Sequence, residues 1–178
     1  MSSQGPDDKT ACIEAVIGRY ERPLMRYAAR ITGDLERARD IVQDTFLRFL
    51  SAGGPREDDR LGPWLFAVCR NRALDVLRKE RRMSRLSEAQ SDAQASGEPG
   101  PPVIAERREV LGSVMAALAE LSEGQQEVIR LKFQNGFSYR QIAEITGLSV
   151  GNVGFLIHTA LNAIRRKLRA SPGSTGAG

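Results

Sequence analysis

Residues that form metal sites and covalent cross-links are scarce in this chain. Its 178 residues include two cysteines and one histidine. Cys12 and Cys69 lie far apart inside apolar helical patterns, which favours two buried, reduced thiols over a disulfide or a redox switch. A structural zinc site needs about four clustered ligands, so the sequence predicts no metal site.

Long hydrophobic runs are missing as well. No stretch approaches the roughly 18 uncharged apolar residues of a membrane-spanning helix. The N-terminal residues lack the apolar segment of a signal peptide. The sequence therefore predicts a cytoplasmic protein without membrane insertion.

Arrangements typical of enzymes are also absent. The chain has no nucleophile beside a base, no glycine-rich phosphate loop and no cluster of metal ligands. The single histidine, His158, lies in a helical pattern and is expected to be a contact or surface residue. We therefore expect a protein that is not an enzyme and has no catalytic residue, cofactor or small-molecule substrate.

Aliphatic helical periodicity is the main signal that the chain does contain. Aromatic residues make up 6% of the chain against 41% hydrophobic residues overall, so aliphatic side chains must form the core. Apolar residues recur at steps of three and four, which is typical of amphipathic helices. Pro23 is expected to end one helix and begin the next, and Asp34 is expected to cap a further helix.

Composition divides the chain into five segments. Residues 1–9 are predicted to be a disordered lead-in, and residues 10–83 a first helical domain. Residues 84–102 are rich in Ser, Gln, Gly and Pro, and cannot bury enough apolar surface to offset the entropy of ordering them. A second helical domain is expected over residues 103–170, before a disordered tail at 171–178. The predicted fold is all-α, with two small helical domains joined by a flexible linker.

Positive charge is concentrated in one part of the first domain. The chain has 26 basic and 22 acidic residues, a modest excess. The segment from Trp64 to Arg85 contains seven of the basic residues and only two acidic ones, Asp75 and Glu80. Aromatic rings beside such cations suit single-stranded nucleic acid, because bases stack on rings while phosphates bind Arg and Lys. Trp64 is equally compatible with a place in the core.

The preceding helix has a different outer face. Opposite its apolar side, the helix from residue 35 to residue 50 carries Asp40, Gln43, Asp44 and Leu47. A solvated helix face explains the carboxylates by themselves. An exposed Leu47 among them favours a docking surface for a partner.

The second domain contains a pattern typical of a DNA-binding helix-turn-helix. Ala143 is small where two helices must approach closely, and Gly147 is placed to end the first of them in the left-handed conformation. Ser149 is expected to cap the second helix, from which Val153 packs back across the turn. The alternative is a compact helical bundle with a glycine in one turn. Upstream, Ser122 with Gln125 predicts a capping box.

Taken in order, these blocks resemble the sigma-70 family of RNA polymerase sigma factors, specifically its small extracytoplasmic-function (ECF, group IV) members. Residues 27–34 and 38–46 resemble the core-binding helices of the family's region 2, and residues 63–78 resemble the part that melts and reads the minus-ten element. Residues 121–129, together with residues 136–143, resemble region 4, whose helix-turn-helix reads the minus-thirty-five element. The resemblance implies a sigma factor that binds RNA polymerase core and directs promoter recognition, DNA melting and transcription initiation.

The same resemblance implies three sets of contact residues. Those facing the clamp helices of the polymerase's largest subunit would be Asp40, Gln43, Asp44, Leu47 and Arg48. Those near the opened minus-ten strand would be Trp64, Arg70, Asn71, Asp75, Arg78 and Lys79. Those at the minus-thirty-five element would be Arg140, Ser149, Val150, Gly151, Asn152, Phe155 and His158. Promoter DNA, the flap of the second largest subunit and an anti-sigma factor are the further partners implied.

One departure from the family concerns the second helix of the helix-turn-helix. Two positions that usually carry cations are Gly154 and Leu156, and no cation precedes Arg165 in this helix. Phosphate or base contacts there are put in doubt, and the apolar run 155–157 is a candidate surface for a protein partner such as an anti-sigma factor.

Two further alternatives remain open at this point. One is a helix-turn-helix regulator that binds duplex DNA without polymerase core, which leaves the first domain unassigned. The other is a sigma-like protein without promoter specificity, in keeping with the neutral second helix.

Overall fold

The computed structural model describes residues 6–54, 58–86, 112 and 114–170, and the regular structure within these ranges is entirely helical. The chain forms two compact units, one containing residues 6–86 and the other most of residues 114–170. The predicted all-α class with two small helical domains is confirmed. The predicted tail and all but the first three residues of the predicted linker lie outside the described residues.

The first unit is a bundle of three helices. Helix α1 spans Pro6–Thr32, α2 spans Leu35–Ser51 and α3 spans Leu61–Leu86. Each helix packs against the other two. Its core is mainly aliphatic with a few aromatic rings, and its larger buried residues are Val16, Leu24, Tyr27, Ile41, Val42, Phe46, Phe49, Leu65, Phe66 and Cys69.

Helix α1 continues through Pro23, so the predicted break at this residue is wrong. A proline inside a helix removes one backbone donor and costs about 3 kcal/mol. Val16 before the proline and Leu24 and Ala28 after it are fully buried. Burying one large aliphatic side chain contributes about 1.5–3 kcal/mol. The contacts on both sides of the proline therefore outweigh the lost hydrogen bond.

The expected start of the first helix is also corrected. Helix α1 begins at Pro6, so the last four residues of the predicted lead-in, 6–9, are helical. Proline is favoured in the first turn of a helix, where its missing N–H would have no partner. Residues 1–5 lie outside the part of the chain that the structure describes.

The junction between α1 and α2 follows the prediction. Gly33 has a positive φ of 70°, and its N–H donates to the carbonyl of Ala29 at 2.8 Å. Asp34 is the N-cap of α2, and its Oδ1 accepts a hydrogen bond from the backbone N–H of Arg37 at 3.0 Å. This hydrogen bond is the main reason that the pKa of Asp34 lies below its ordinary value.

Over residues 114–170, the second unit contains four helical segments. Helix α4 is described over residues 114–119, α5 spans Glu123–Phe133, α6 spans Tyr139–Thr146 and α7 spans Val150–Ala170. Helix α5 packs on α7. The larger buried side chains are aliphatic except for one ring, and include Leu121, Val128, Ile129, Leu131, Phe137, Ile142, Val153 and Ile157.

Within residues 6–86 and 114–170, no single helix is long and apolar enough to cross a membrane. The pair formed by α6 and α7 as far as Arg169 meets the length and composition criteria jointly, but across a bend of 106°.

Candidate nucleic-acid interface

The outer face of α2 carries the residues predicted to bind a protein partner. Asp40, Gln43 and Arg48 are exposed, and Leu47 is 61% exposed. The opposite face is buried, because apolar residues recur along it at helical spacing from Ala38 to Phe49. An exposed leucine among polar neighbours makes this face suitable for docking a partner.

Asp44 differs from the other members of that set. Its Oδ2 accepts a hydrogen bond from Nε of Arg72 at 2.8 Å, which joins α2 to α3. A second ion pair between the two helices joins Arg37 Nη1 to Glu80 Oε2 at 2.8 Å. All four side chains are partly exposed, so each pair contributes at most about 1 kcal/mol. They add to the buried packing of α2 on α3, which sets how the outer faces of the two helices are oriented.

The two aromatic residues at the start of α3 differ in burial. Phe66 is buried, with its ring centroid 5.1 Å from that of Tyr27. Trp64 is 38% exposed and lies at the surface. Phe66 is therefore the residue that belongs to the core. Trp64, for which the sequence left a core position open, lies at the surface, where its ring is accessible to a base.

Beyond Trp64, the outer face of α3 is strongly basic. Asn71, Asp75, Arg78 and Lys79 are exposed, and Arg70 is half-buried. Arg78 Nη1 donates to Asp75 Oδ1 at 3.0 Å, which neutralises part of the charge locally. Leu65, Cys69 and Ala73 face the core and hold this surface in place. All six residues predicted to contact the minus-ten strand therefore lie on α3. Trp64 is near the start of the helix, and the five polar residues that follow it are exposed or half-buried.

The predicted helix-turn-helix has the expected turn geometry. Gly147 ends α6 with a φ of 76°, and its N–H donates to the carbonyl of Ala143 at 2.9 Å. Ser149 caps α7, because its Oγ accepts from the N–H of Asn152 at 3.2 Å. Val153 is fully buried. The bend of 106° between α6 and α7 lies within the range found for such motifs.

Polar contacts around the motif include one predicted and two unpredicted features. The predicted capping box of Ser122 and Gln125 is present at the start of α5. A second capping box, formed by Ser138 and Gln141, begins α6. The Ser-x-x-Gln spacing could have indicated it, since it is the same signal. Gln125 Nε2 also donates to the hydroxyl of Thr159 at 3.1 Å, a contact that no local pattern predicts.

The exposed side of α7 changes in character along its length. Asn152, Phe155 and His158 are exposed in its first half. His158 Nε2 and Asn162 Nδ2 lie 2.9 Å apart, and Asn162 Oδ1 accepts from Arg165 at 3.3 Å. The second half of the helix carries the cations, which are Arg165, Arg166, Lys167 and Arg169.

The apolar run 155–157, a candidate surface for a protein partner, is only partly exposed. Ile157 is buried and Leu156 is half-buried, because both point into the unit. Phe155 is 64% exposed and is the only one of the three that lies mainly at the surface. Helical geometry places residues 156 and 157 on other faces than residue 155.

Other predicted residues of the motif also lie at the surface. Arg140, Ser149, Val150 and Gly151 are exposed, on the first turns of α6 and α7 or just before them. Space near Gly151 is open, since a Cβ there would meet nothing within 4 Å.

A neighbouring cation was missed by sequence reasoning. Lys132, near the end of α5, places Nζ 5.5 Å from the ring centroid of Tyr139. The same ring lies beside Gly154, where a Cβ would be 3.6 Å from Tyr139 Cε2. The ring that borders Gly154 in the first half of α7 therefore also has a positive charge near it, although that half has no cation of its own.

Among the residues that the structure describes, no group of three or more His, Cys, Asp or Glu side chains is placed to hold a metal ion. Burial raises the pKa of the Cys69 thiol to about 12, so this cysteine is not a reactive nucleophile.

Two family models match the two units separately. Sigma-70 region 2 matches residues 16–83, and sigma-70, region 4 matches residues 111–164. The matched segments coincide with the three-helix bundle and with the unit that contains the helix-turn-helix.

Curated relatives match along most of the chain. The ECF RNA polymerase sigma factor SigL of Mycobacterium tuberculosis is 33% identical over 167 residues, covering 90% of this chain and 91% of the relative. The ECF RNA polymerase sigma factor EcfG of Rhodopseudomonas palustris is 32% identical over 148 residues, covering 83% and 77%.

Solved structures share the fold. The sigma factor RpoE of Bartonella quintana, in complex with the anti-sigma factor NepR, has a TM-score of 0.69 at 24% identity, covering 89% of this chain and 97% of that chain. CnrH in complex with the cytosolic domain of CnrY has a TM-score of 0.56 at 24% identity, covering 93% and 92%.

The fold and the matches to both regions define a sigma factor, the class of protein that directs RNA polymerase to its start sites. The chain belongs to the sigma-70 family, and within it to the extracytoplasmic-function type. It is a regulatory protein that directs transcription, and the alternative of a regulator acting without polymerase is not favoured.

Proposed function

We propose that this sigma factor divides transcription initiation among three surfaces. The outer face of α2 binds the clamp helices of the largest subunit of RNA polymerase core. The outer face of α3 captures the opened minus-ten strand. The helix-turn-helix of α6 and α7 binds the minus-thirty-five element, while its unit contacts the flap of the second largest subunit.

The observation that supports this division most strongly is the pair of outer faces on α2 and α3. One exposes Leu47 among acidic and polar side chains, and the other exposes Trp64 followed by cations. Leucine burial drives protein association, and aromatic rings with cations suit single-stranded bases and phosphates. A regulator that binds only duplex DNA has no use for either face.

The proposed mechanism is binding without covalent catalysis. Trp64 stacks on an unpaired base, while Arg78 and Lys79 neutralise phosphates of the same strand. These contacts exist only when the duplex is open, so they favour the open strand over re-pairing. The ion pairs from α2 to Arg72 and Glu80 keep the docking face and the strand-binding face in a constant relation.

Core binding is tested with a matched pair of leucines on one helix. Leu47 is 61% exposed and Leu35 is 68% exposed, and both belong to α2. Leu47→Ala should weaken binding of the full chain to purified polymerase core in competition with a housekeeping sigma factor, whereas Leu35→Ala should not. Equal affinities of the two variants would contradict the assignment of this face. Absence of core binding by the wild type would restore the regulator alternative.

Strand capture is tested at Trp64. With a bacterial core and promoter fragments selected for run-off transcription, Trp64→Ala should lower the amount of open complex, measured by permanganate reactivity of unpaired thymines. Trp64→Phe should restore part of it, because a smaller ring still stacks. If both variants open the promoter as well as the wild type, Trp64 has no part in melting.

An anti-sigma factor is a further proposed partner. It is supported by the neighbouring structure of the sigma factor RpoE, which was solved in complex with the anti-sigma factor NepR. In the test, a purified candidate anti-sigma factor should displace the full chain from polymerase core and should lower run-off transcription. A candidate that does neither is not the partner.

Because polymerase core is the proposed partner, we also propose that the protein acts in the cytoplasm.

A further inference from the structure

The first half of α7 exposes a set of side chains that differs from a common DNA-reading helix. Asn152, Phe155 and His158 follow one another at steps of three, so they lie on one side of the helix. None of them is a permanent cation. The cations begin at Arg165, two turns beyond His158.

Base recognition in the major groove depends on side-chain chemistry. Arginine and lysine pair with guanine, asparagine pairs with adenine, and apolar groups such as phenylalanine contact the methyl group of thymine. In a helix-turn-helix, the first residues of the second helix are the ones that contact base edges. The exposed residues of this half are therefore suited to A·T pairs and lack the usual partner of guanine.

Phe155 is the most informative of these residues. Its ring is 64% exposed, whereas Val153 and Ile157 on the inner side of the same helix are buried. The ring therefore contributes little to the core. Asn152 lies one turn earlier and has an exposed amide, since its backbone N–H is the part that bonds to Ser149. A flat apolar ring next to an amide matches a thymine methyl beside an adenine.

Phosphate contacts are available without cations in this half of the helix. The ammonium group of Lys132 lies over the Tyr139 ring, and that ring lies beside Gly154. At the other end, Arg165, Arg166 and Arg169 extend past the residues that would contact bases. Charged groups thus flank the neutral segment, an arrangement that separates backbone binding from base recognition.

We infer that α7 recognises A·T pairs in the upstream promoter element, with Phe155 against a thymine 5-methyl group and Asn152 on a neighbouring adenine. This inference rests on the proposed function, because it requires α7 to enter the major groove of promoter DNA. It goes further in naming the bases, and it makes Phe155 a specificity-determining residue.

The test uses holoenzyme assembled from the full chain and a bacterial polymerase core. Duplexes with a randomised upstream element are selected by binding, and core binding is measured in the same samples. In the selected sequence, each thymine is then replaced by deoxyuridine, which removes only the 5-methyl group. At one position this replacement should weaken binding about fourfold, the effect expected for exposing one buried methyl group.

Variants connect this effect to one side chain. Phe155→Ala should bind the thymine and deoxyuridine duplexes equally. Phe133→Ala is the matched control, because Phe133 is 61% exposed in the same unit but lies at the end of α5, and it should retain the wild-type difference. Phe155→Arg should shift the base selected at that position from thymine to guanine.

The outcomes separate the inference from the function beneath it. Three results would each overturn the inference while core binding and promoter selection persist. The wild type could select G·C pairs, its affinity could be the same for the deoxyuridine duplexes, or Phe155→Ala could lose as much affinity with deoxyuridine as the wild type does. Core binding without any enriched upstream sequence would overturn both the inference and the proposed role of the helix-turn-helix.

Discussion

At the scale of single residues, the two cysteines have very different surroundings. Cys69 is buried in the three-helix bundle, and desolvation raises the pKa of its thiol to about 12, against a weaker opposing effect of a hydrogen bond with Thr45. Cys12 is only partly buried, on α1. Since the thiolate is the reactive form, Cys69 should be unreactive in the folded protein.

This difference predicts the outcome of thiol labelling. In the native protein at mildly alkaline pH, a maleimide should modify Cys12 and leave Cys69 unmodified, as read by peptide mass spectrometry. In denaturant both should react, because unfolding exposes Cys69 to water. Fast native labelling at Cys69 would show that the bundle opens far more readily than its packing indicates.

Asp34 predicts a dependence of stability on pH. The N–H of Arg37 donates to its carboxylate and holds the pKa of Asp34 below its ordinary value of 3.8. A carboxyl group with a lowered pKa stabilises the folded state above its unfolded pKa, and this contribution is lost as the pH falls through the folded pKa. Asp34→Asn keeps a cap but has no charge to lose.

The comparison of these two proteins isolates the charge. The wild type should have the higher thermal midpoint at neutral pH, and the difference should shrink as the pH falls below 3.8. A difference that stays constant over this range would mean that the carboxylate charge has no part in capping α2.

At the scale of elements, the turn between α6 and α7 depends on the backbone of one residue. Gly147 has a φ of +76°, and a Cβ built there would meet no atom within 4 Å. Gly147→Ala should therefore lower the free energy of unfolding through backbone strain alone, by roughly 1–2 kcal/mol. Asparagine tolerates the left-handed conformation, so Gly147→Asn should cost less.

Urea denaturation of the full-length variants measures both values. Gly151→Ala is a useful control, because Gly151 lies inside α7 with open space around it and alanine favours helices. It should leave stability unchanged or raise it. Equal losses for all three substitutions would indicate that the effect at Gly147 does not arise from its backbone conformation.

The elements of the first unit also show how a local signal is overridden. Pro23 is a strong helix-breaking signal, yet α1 passes through it because Val16 on one side and Leu24 on the other are both buried. Asp34 and Gly33 were sufficient by themselves to place the start of α2, since their contacts are within the junction. Local capping is predictable from sequence, whereas the balance between a lost bond and distant packing is not.

At the scale of the whole molecule, the net charge of +4 is less informative than its location. Lys79 is exposed on the basic outer face of α3, while Arg22 is exposed on α1. Each cation bound to a phosphate releases counterions and contributes about one to the salt dependence of binding.

This location leads to a prediction for the holoenzyme. Lys79→Gln should reduce the slope of log affinity against log salt concentration by about one for promoter DNA carrying an opened minus-ten strand. Arg22→Gln changes the net charge equally and should leave the slope unchanged, because α1 has no proposed DNA contact. If both substitutions reduce the slope alike, general charge and not the α3 surface governs binding.

Sequence alone was sufficient for the all-α class, for two helical domains and for the family, because these depend on periodicity, composition and ordered motifs along the chain. It also placed Gly147, Ser149 and the capping box at Ser122, since such turns and caps involve residues only a few positions apart. The contact sets for polymerase and promoter stay predictions, as does the end of the linker at residue 102. The predicted start at residue 84 is corrected, because α3 continues to Leu86.

Only the tertiary structure decided which of two neighbouring aromatic residues is available to a ligand. Phe66 packs on Tyr27 from another helix, whereas Trp64 remains at the surface. Helical periodicity places the two residues on different sides of α3 but does not say which side another helix covers. The tertiary structure also showed that Phe155 stands alone as an exposed ring, and that Asp44 is joined to Arg72. These features depend on contacts between residues distant in sequence, and a local pattern contains no information about which partner each side chain meets.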